Sequence, residues 1–228
     1  MLGLVTIGQA PRDDVHVDIA PLLIGRDWVE HGALDRFDHE GVRALAPGRD
    51  EPPLVSRMRD GSRVRLGHHT LVPLLEEAVA ACAADGARAV LIMCSGHLPP
   101  LRSAITVYPA EELAHAALPE LVGAARVGIV VPDEDQVADA LIRWADALGR
   151  EVLGAHADPY TAPLAEIVTA GAELTARGAE VIVLDCFGYT NAAATAIRQN
   201  TGAQALAVRM VATQAALELV GGTSTPPR

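Results

Sequence analysis

Short apolar runs alternate along the chain with longer segments of helical period, and this alternation constrains the fold more than any other feature. Most of the runs are hydrophobic at every position, which is typical of strands that helices cover on both faces. The pattern therefore predicts an α/β fold with mostly parallel sheets. The predicted strands are Leu2 to Ile7, Ala89 to Cys94, Arg126 to Val131, Val152 to Ala155, Val181 to Cys186 and Ala205 to Val208.

Helices are predicted between these strands, where apolar side chains recur every three or four residues. Two of the stripes stop close to a glycine, Gly86 and Gly149. Glycine is a common residue after the last turn of a helix, so these positions indicate helix ends. The four predicted helices cover residues 71–82, 137–148, about 163–177 and about 211–220.

The composition sets the size of the core and the class of protein. With 228 residues and 50% hydrophobic content, the chain is predicted to form one compact unit, or two small lobes that share an interface. A formal net charge of −11 excludes binding to nucleic acids and anionic membranes, which need clustered Lys and Arg. The apolar runs are too short to span a bilayer, and no export signal is visible, so we expect a cytoplasmic protein. The polar residues 223–228 are predicted to form a flexible tail.

The chain has three cysteines, Cys82, Cys94 and Cys186. None has the spacing of a zinc site, and an odd number does not indicate a disulfide framework. His68 and His69 are adjacent, and adjacent side chains on a strand point to opposite faces, so they do not indicate a metal site. We therefore expect free thiols, no metal and no cofactor.

Two of the cysteines end segments with the same pattern. Residues 86–97 and 178–189 each contain a helix-ending glycine, an alanine, one charged residue, an apolar strand, and then Cys-x-Gly followed by a ring-bearing residue. In parallel sheets, ligands bind beyond the carboxyl ends of the strands, so Cys94 and Cys186 are placed where a substrate binds. Cys82 lies in a helical stripe instead and is predicted to be inert. A single strand-end cysteine is often only a small hydrophobe, but two in matching frames favour catalysis.

These frames resemble a known superfamily. Met93-Cys94-Ser95-Gly96-His97-Leu98-Pro99 and Leu184-Asp185-Cys186-Phe187-Gly188-Tyr189-Thr190 are similar to the paired cysteine motifs of aspartate, glutamate and hydantoin racemases. The opening stretch, residues 4–14, and the strand before Phe187 resemble the AroM family in particular. The resemblance implies two pseudosymmetric α/β lobes, each a mostly parallel sheet flanked by helices, with one cysteine from each on opposite sides of the substrate. The predicted lobes are residues 1–100 with about 205–222, and residues 101–204.

The predicted function is that of a cofactor-independent racemase, epimerase or isomerase that acts on a small carboxylate by two-cysteine proton transfer. Removing a proton from a carbon next to a carboxylate needs a base, stabilisation of the developing charge, and an acid on the opposite face. A thiolate and a thiol supply the base and the acid, with sulfurs expected roughly 6 to 9 Å apart. The alternatives are a one-cysteine lyase such as a decarboxylase and a non-catalytic metabolite-binding protein. A homodimer is left open.

Several residues near the cysteines are candidates for binding substrate. Backbone N–H groups of the turns Ser95-Gly96 and Phe187-Gly188, taken to be at helix N-termini, are predicted to stabilise negative charge. Arg12, just past the first strand, is predicted to hold the carboxylate through its guanidinium fork, or to form a surface pair with Asp13 or Asp14.

Four further side chains are candidates for binding substrate, and three of them also have a structural interpretation. Gln9 binds substrate or its own turn, and His97 tunes the Cys94 thiol or faces solvent. Tyr189 is a candidate contact in the second lobe, and Thr190 is either a contact or the N-cap of the next helix. After the strand that ends at Val131, Asp133 and Gln136 have the spacing of a capping box, which is the preferred interpretation of that pair.

Overall fold

The six predicted strands are all present in the structure, a computed structural model that describes residues 1–49, 51 and 53–222. The predicted tail, residues 223–228, lies outside the described residues. The strands are β1 (Leu2–Thr6), β2 (Trp28–Gly32), β3 (Leu54–Arg57), β4 (Arg63–Leu66), β5 (Ala89–Ile92), β6 (Thr106–Pro109), β7 (Val127–Val131), β8 (Leu153–His156), β9 (Val181–Leu184) and β10 (Gln204–Ala207). The helices are α1 (Asp13–Leu23), α2 (His39–Arg43), α3 (His68–Ala84), α4 (Ala110–Val122), α5 (Val137–Leu148), α6 (Leu164–Ala176), α7 (Asn191–Thr201) and α8 (Val208–Gly222), with a 3₁₀ turn at Glu134–Gln136.

The two large sheets have the same strand order. The first is β2-β1-β5-β6 and the second is β8-β7-β9-β10, and all pairings within both are parallel. The central strands β1, β5, β7 and β9 are buried along their whole length, because helices cover both faces. The α/β fold with two pseudosymmetric lobes is therefore confirmed.

The last helix of each lobe crosses to the other lobe. Helix α4, which follows the first sheet, packs on α5, and α8, which follows the second sheet, packs on α1; α4 and α8 also pack on each other. The predicted boundaries assign β6 to the second lobe and β10 to the first, whereas β6 pairs in the first sheet and β10 pairs in the second.

One antiparallel hairpin, β3–β4, has no counterpart in the second lobe of the described chain. It is inserted between α2 and α3, and it extends to the second lobe through ion pairs of Arg63 with Asp133 and Asp158 and of Arg65 with Asp135. The hairpin therefore joins the lobes on the side where the strands of both sheets end.

Local sequence explains the helix ends that frame the site. Gly149 follows α5 in the left-handed conformation, and the Thr190 hydroxyl caps α7 by accepting a hydrogen bond from the Ala193 N–H at 3.1 Å. His68 and His69 are the first two residues of α3 and do not lie on a strand. The prediction that their side chains point to opposite faces of a strand was therefore wrong. No helix in the described part of the chain is both long and apolar enough to cross a membrane.

Candidate active site

Cys94 and Cys186 line one small cavity between the lobes. Strands β5 and β9 occupy equivalent positions in their sheets, and each cysteine lies two residues beyond the end of its strand. Both residues are only 7% exposed. The cavity has a volume of about 30 Å³, which is enough for about two water molecules and too small for a carboxylate without movement of its walls. Its lining residues are Leu54, Val55, Ser56, Met93, Cys94, Ser95, Gly96, Val131, Pro132, Gln136, Arg143, Tyr160, Asp185, Cys186 and Phe187. We call it the two-cysteine cavity.

The Cys186 thiol has three neighbours that favour its ionised form. Burial raises its pKa above the ordinary value, and the backbone N–H of Gly188, the Tyr160 hydroxyl and the charge of Arg12 each lower it. The Gly188 N–H donates to Sγ at 3.2 Å, and the Tyr160 Oη lies 3.7 Å from Sγ. Hydrogen bonds and a nearby cation stabilise a thiolate, so Cys186 is the better placed of the two thiols to act as a base.

The Cys94 thiol has a less favourable environment for a thiolate. Its pKa is raised to about 12, chiefly by burial and in part by negative charge on Cys186, Glu111 or Asp185, whereas only the backbone N–H of Gly96 lowers it. A thiol with these neighbours keeps its proton, so Cys94 is suited to act as an acid. A negative charge on Cys186 is one of the causes that raise the pKa of Cys94, so the two thiols lie within electrostatic range of each other.

Both cysteine turns need glycine two residues later. A Cβ added to Gly188 would lie 2.6 Å from side-chain atoms of Pro159 and Tyr160, and one added to Gly96 would collide with Leu54 of the β3–β4 hairpin. Ser95-Gly96 does not begin a helix, because irregular chain follows it as far as β6, and that prediction was wrong. The predicted backbone donors at Gly96 and Gly188 are directed at the sulfurs.

Arg12 is buried and does not line the two-cysteine cavity. Its guanidinium forms two hydrogen bonds of 2.8 Å to the Asp14 carboxylate, and Nη1 donates to the Thr6 hydroxyl at 3.1 Å. Although burial alone would lower the pKa of Arg12, Tyr160 and Asp14 raise it above its ordinary value. The predicted pair with Asp14 is present, but it is buried and does not lie at the surface. The guanidinium also lies over the Tyr160 ring, 5.9 Å from its centroid, and so supports Tyr160 beside Cys186. A direct contact of Arg12 with a substrate carboxylate stays a prediction.

Gln9, Tyr189 and Thr190 have internal partners and do not line the two-cysteine cavity. Gln9 donates to the carbonyl oxygens of Leu34 and Phe37 and accepts from the Arg59 N–H. The Tyr189 hydroxyl donates to the Ala157 carbonyl at 2.5 Å. The polar groups of these three side chains hold loops together, which fits the structural interpretation of Gln9 and Thr190. A contact of any of them with substrate stays a prediction.

His97 lies outside the two-cysteine cavity, in a larger cavity of about 340 Å³ beside it. We call this larger cavity the vestibule. His97 is mostly exposed, and its Nδ1 lies 3.0 Å from Glu111 Oε2. Its predicted effect on the Cys94 thiol has no support, but a contact with substrate in the vestibule stays a prediction. The vestibule is lined by Glu51, Pro53, Leu54, His68, His69, Gly96, His97, Gln136, Asp139 and Arg143.

Arg143 is the cationic side chain that lines both cavities, and the sequence prediction missed it. It projects from α5, where it pairs with Glu111 of α4 and with Asp139 at 2.8 Å. Its place in the middle of a regular amphipathic helix gave no signal of a site. Asp133 does cap the 3₁₀ turn as predicted, but Gln136 lines both cavities as well.

Asp185, between β9 and Cys186, is a buried carboxyl in the wall of the two-cysteine cavity. Its Oδ2 accepts a hydrogen bond of 2.7 Å from the Trp144 indole N–H. Burial raises its pKa to about 6, although Trp144, Arg143 and Ser95 lower it. At neutral pH this carboxyl is mainly ionised, and its negative charge opposes thiolate formation at both cysteines.

Arg209, fully buried on α8, connects the Cys186 turn to the first lobe. It donates to the Phe187 carbonyl through Nε at 2.9 Å and also through Nη2. Nη1 donates to the Asp14 carbonyl and to Asp18, each at 2.9 Å. Arg209 therefore fixes the position of the Cys186 turn relative to α1.

Solved structures of several enzymes share this fold. The chain is 12% identical to the maleate isomerase Iso from Pseudomonas putida S16, with a TM-score of 0.64 over 96% of this chain and 92% of that one. It is 12% identical to glutamate racemase from Francisella tularensis subsp. tularensis SCHU S4, with a TM-score of 0.62 over 100% and 85%. It is 15% identical to a liganded mutant of arylmalonate decarboxylase, also with a TM-score of 0.62, over 100% and 95%. At these identities the likeness establishes a common fold.

The sequence itself identifies the family. The profile described as "AroM protein" matches residues 2–220, which is nearly the whole chain, and the chain belongs to the AroM family. No curated protein matches the sequence.

Proposed function

We propose that the protein is a cofactor-independent isomerase that moves a proton at a carbon next to a carboxylate, with Cys186 as the base and Cys94 as the acid. The observation that carries the proposal is the convergence of both thiols on one buried cavity, from equivalent strands of the two sheets. A carbon held between two such groups can lose a proton on one face and gain one on the other, which inverts its configuration.

The assignment of base and acid rests on the difference between the two thiol environments. Tyr160, Gly188 and the charge of Arg12 favour a thiolate at Cys186, whereas Glu111 and Asp185 disfavour one at Cys94. In the proposed reaction, the Cys186 thiolate takes the proton from the substrate carbon. The Cys94 thiol then donates its own proton to the opposite face, and the two exchange roles for the reverse direction.

The negative charge that develops on the substrate carboxylate needs a positive partner. Arg143 supplies it in the proposal, because its guanidinium lines the two-cysteine cavity and the vestibule. A fixed cation in a water-poor site stabilises developing charge more strongly than it would in bulk water. Arg12 contributes indirectly, through Tyr160.

The test is solvent hydrogen exchange in deuterium oxide, followed by mass spectrometry and NMR on a panel of small carboxylates. Wild type is expected to incorporate deuterium at the carbon next to the carboxylate, since a thiol exchanges its proton with water between turnovers. Cys94→Ser and Cys186→Ser should each slow turnover by about a thousandfold or more, because a hydroxyl is a far weaker acid than a thiol. Cys82→Ser is the matched control and should keep the wild-type rate, because Cys82 lies in the first-lobe core.

A one-cysteine lyase is the second candidate, and the unequal thiol environments favour it over the remaining alternative. In that reaction one thiol protonates the carbon after loss of carbon dioxide, and the other thiol is dispensable. Near-wild-type turnover of either the Cys94→Ser or the Cys186→Ser variant, beside inactivity of the other one, would replace the isomerase proposal with the lyase.

A further inference from the structure

Two buried oxygen atoms in the wall of the two-cysteine cavity lack hydrogen-bond partners. They are Asp185 Oδ1 and Gln136 Oε1. A buried polar atom without a partner destabilises the fold, so such atoms are rare in folded proteins, and each one needs an explanation such as a bound ligand. Both atoms are acceptors, which restricts the chemistry of a ligand that would satisfy them.

The neighbouring groups fix the orientation of both side chains. Trp144 holds Asp185 through Oδ2 at 2.7 Å, which leaves Oδ1 free. The Ser95 hydroxyl is near enough to lower the pKa of Asp185, but its geometry does not close a hydrogen bond to Oδ1. The Gln136 amide donates through Nε2 to the Pro53 carbonyl at 2.9 Å, so its oxygen is the atom that remains. Neither side chain can turn away from the cavity without breaking these contacts.

We propose that Asp185 and Gln136 form a subsite for a cationic hydrogen-bond donor next to the reacting carbon, so that the substrate is a small α-amino carboxylate. The inference rests on the proposed function in taking the substrate to be a carboxylate. A carboxylate and an amide oxygen together accept from an ammonium group, with Asp185 supplying the opposite charge. A hydroxyl can use the same acceptors but gains no ionic attraction, so an α-hydroxy carboxylate binds less tightly.

The positive charge of Arg143 indicates where the carboxylate of the same substrate would bind. Arg143 faces both cavities and attracts the carboxylate, and the vestibule has room for the side chain of the substrate.

The ammonium group of the substrate would also change the pKa of the two thiols. The negative charge of Asp185 raises the pKa of both thiols, and an ammonium ion paired with that charge cancels the effect. Binding of the substrate therefore favours the thiolate that the reaction needs.

The experiment compares matched ligands that differ only at the carbon next to the carboxylate. Three racemic sets are titrated calorimetrically into the wild-type protein: alanine, lactate and propionate; aspartate, malate and succinate; phenylalanine, phenyllactate and phenylpropionate. In at least one set, the amino compound should bind about 10- to 100-fold more tightly than the unsubstituted acid, the range for hydrogen bonds to charged groups. The hydroxy compound should fall between them.

Variants show whether the subsite causes the preference. Asp185→Asn should reduce the amino preference to less than about threefold, and Gln136→Met should reduce it in part, since one acceptor remains. Asp146→Asn, an exposed carboxyl on the same helix as Trp144, is the matched control and should leave the preference unchanged. If Asp185→Asn does not fold, Gln136→Met decides the question alone.

Three results would overturn the subsite: equal or tighter binding of the unsubstituted acids, an amino preference that survives both substitutions, or no binding by any member of the sets. Deuterium exchange separates this inference from the proposed function. An amino preference without exchange retains the subsite and rejects two-thiol proton transfer. Deuterium exchange into an unsubstituted acid, without an amino preference, retains two-thiol proton transfer and rejects the subsite.

Discussion

The turns after Cys94 and Cys186 occupy equivalent places in two sheets of the same strand order, but their surroundings differ. The Cys186 turn is held from behind by the buried Arg209, and its sulfur lies beside Tyr160, which Arg12 of the other lobe supports. The Cys94 turn is covered by Leu54 of the β3–β4 hairpin, and its sulfur is near acidic groups. A pseudosymmetric scaffold thus carries two thiols of unequal acidity, which is what a base and an acid require.

The loops that surround the thiols explain how the inequality arises. The loop after β1 brings Arg12 toward Cys186, whereas the equivalent loop after β7 brings Asp133, which pairs with Arg63 of the hairpin. The first lobe therefore supplies a cation that lowers the pKa of the cysteine of the second lobe, whereas no cation is among the main causes that set the pKa of Cys94.

The largest expected effect concerns the anchoring of the Cys186 turn. Arg209→Met should reduce the free energy of unfolding by about 3 to 5 kcal/mol, because it leaves the carboxylate of Asp18 partly buried without its partner. Denaturant unfolding followed by circular dichroism measures this change. Arg102→Met is the matched control: Arg102 pairs with Glu76 at the surface, and its replacement should cause no measurable loss. Equal stability of the two variants would show that the Cys186 turn does not depend on Arg209.

The next effect concerns Asp185, the carboxyl beside both thiols. Its pKa of about 6, against an ordinary value of 3.8, corresponds to about 3 kcal/mol. The folded state holds the proton more tightly than the unfolded state, so this contribution to stability is present below about pH 4 and is lost as the pH rises through about 6. Trp144, Arg143, Ser95 and Glu111 all face this carboxyl and set its pKa.

Unfolding of wild type and Asp185→Asn across that pH range measures this contribution. Between about pH 4 and pH 7, the free energy of unfolding of Asp185→Asn should rise relative to that of wild type by up to about 3 kcal/mol, since the asparagine carries no buried charge. Parallel stability curves for the two proteins would mean that Asp185 has an ordinary pKa, and one argument for its effect on the thiols would be lost.

A smaller effect should separate the two cysteines directly. Tyr160→Phe removes the hydroxyl beside Cys186, so the pKa that governs alkylation of Cys186 should rise by about one pH unit, whereas that of Cys94 should not change. The pH dependence of iodoacetamide labelling, followed by mass spectrometry of each cysteine peptide, measures both. Tyr108→Phe on β6 is the control. A rise at both cysteines would remove the distinction between base and acid.

The sequence predicts the buried parts of this molecule better than its half-buried parts. The continuous apolar runs predicted β1, β5, β7 and β9 because burial on both faces leaves a clear pattern. The edge strands β8 and β10 were also predicted from apolar runs, although they are only partly buried. Strands β2, β3, β4 and β6 were missed. Trp28–Gly32 and Thr106–Pro109, for example, mix polar with apolar residues and are only partly buried, so they show neither a continuous run nor a strict alternation.

The sequence predicted residues of the candidate site only where a reactive side chain lies at the end of a predicted strand. Cys94 and Cys186 met that condition, whereas Tyr160 lies in a loop without a motif and Arg209 lies in an otherwise apolar helix. The sequence predicted a pair of Arg12 with Asp13 or Asp14, but it did not reveal that the pair with Asp14 is buried. Asp185 did leave a signal, since a carboxyl between a buried strand and a cysteine is expensive to bury without a role.

In the proposed proton transfer, Cys94 and Cys186 act on opposite faces of one carbon. The most direct test is a crystal structure of the protein with a carboxylate bound in the two-cysteine cavity, in which the separation of the two sulfurs is measured. If both thiols transfer a proton, the sulfurs should lie roughly 6 to 9 Å apart, with the carbon next to the carboxylate between them and within reach of both. Sulfurs that face different cavities, or a carboxylate that contacts only one of them, would contradict it.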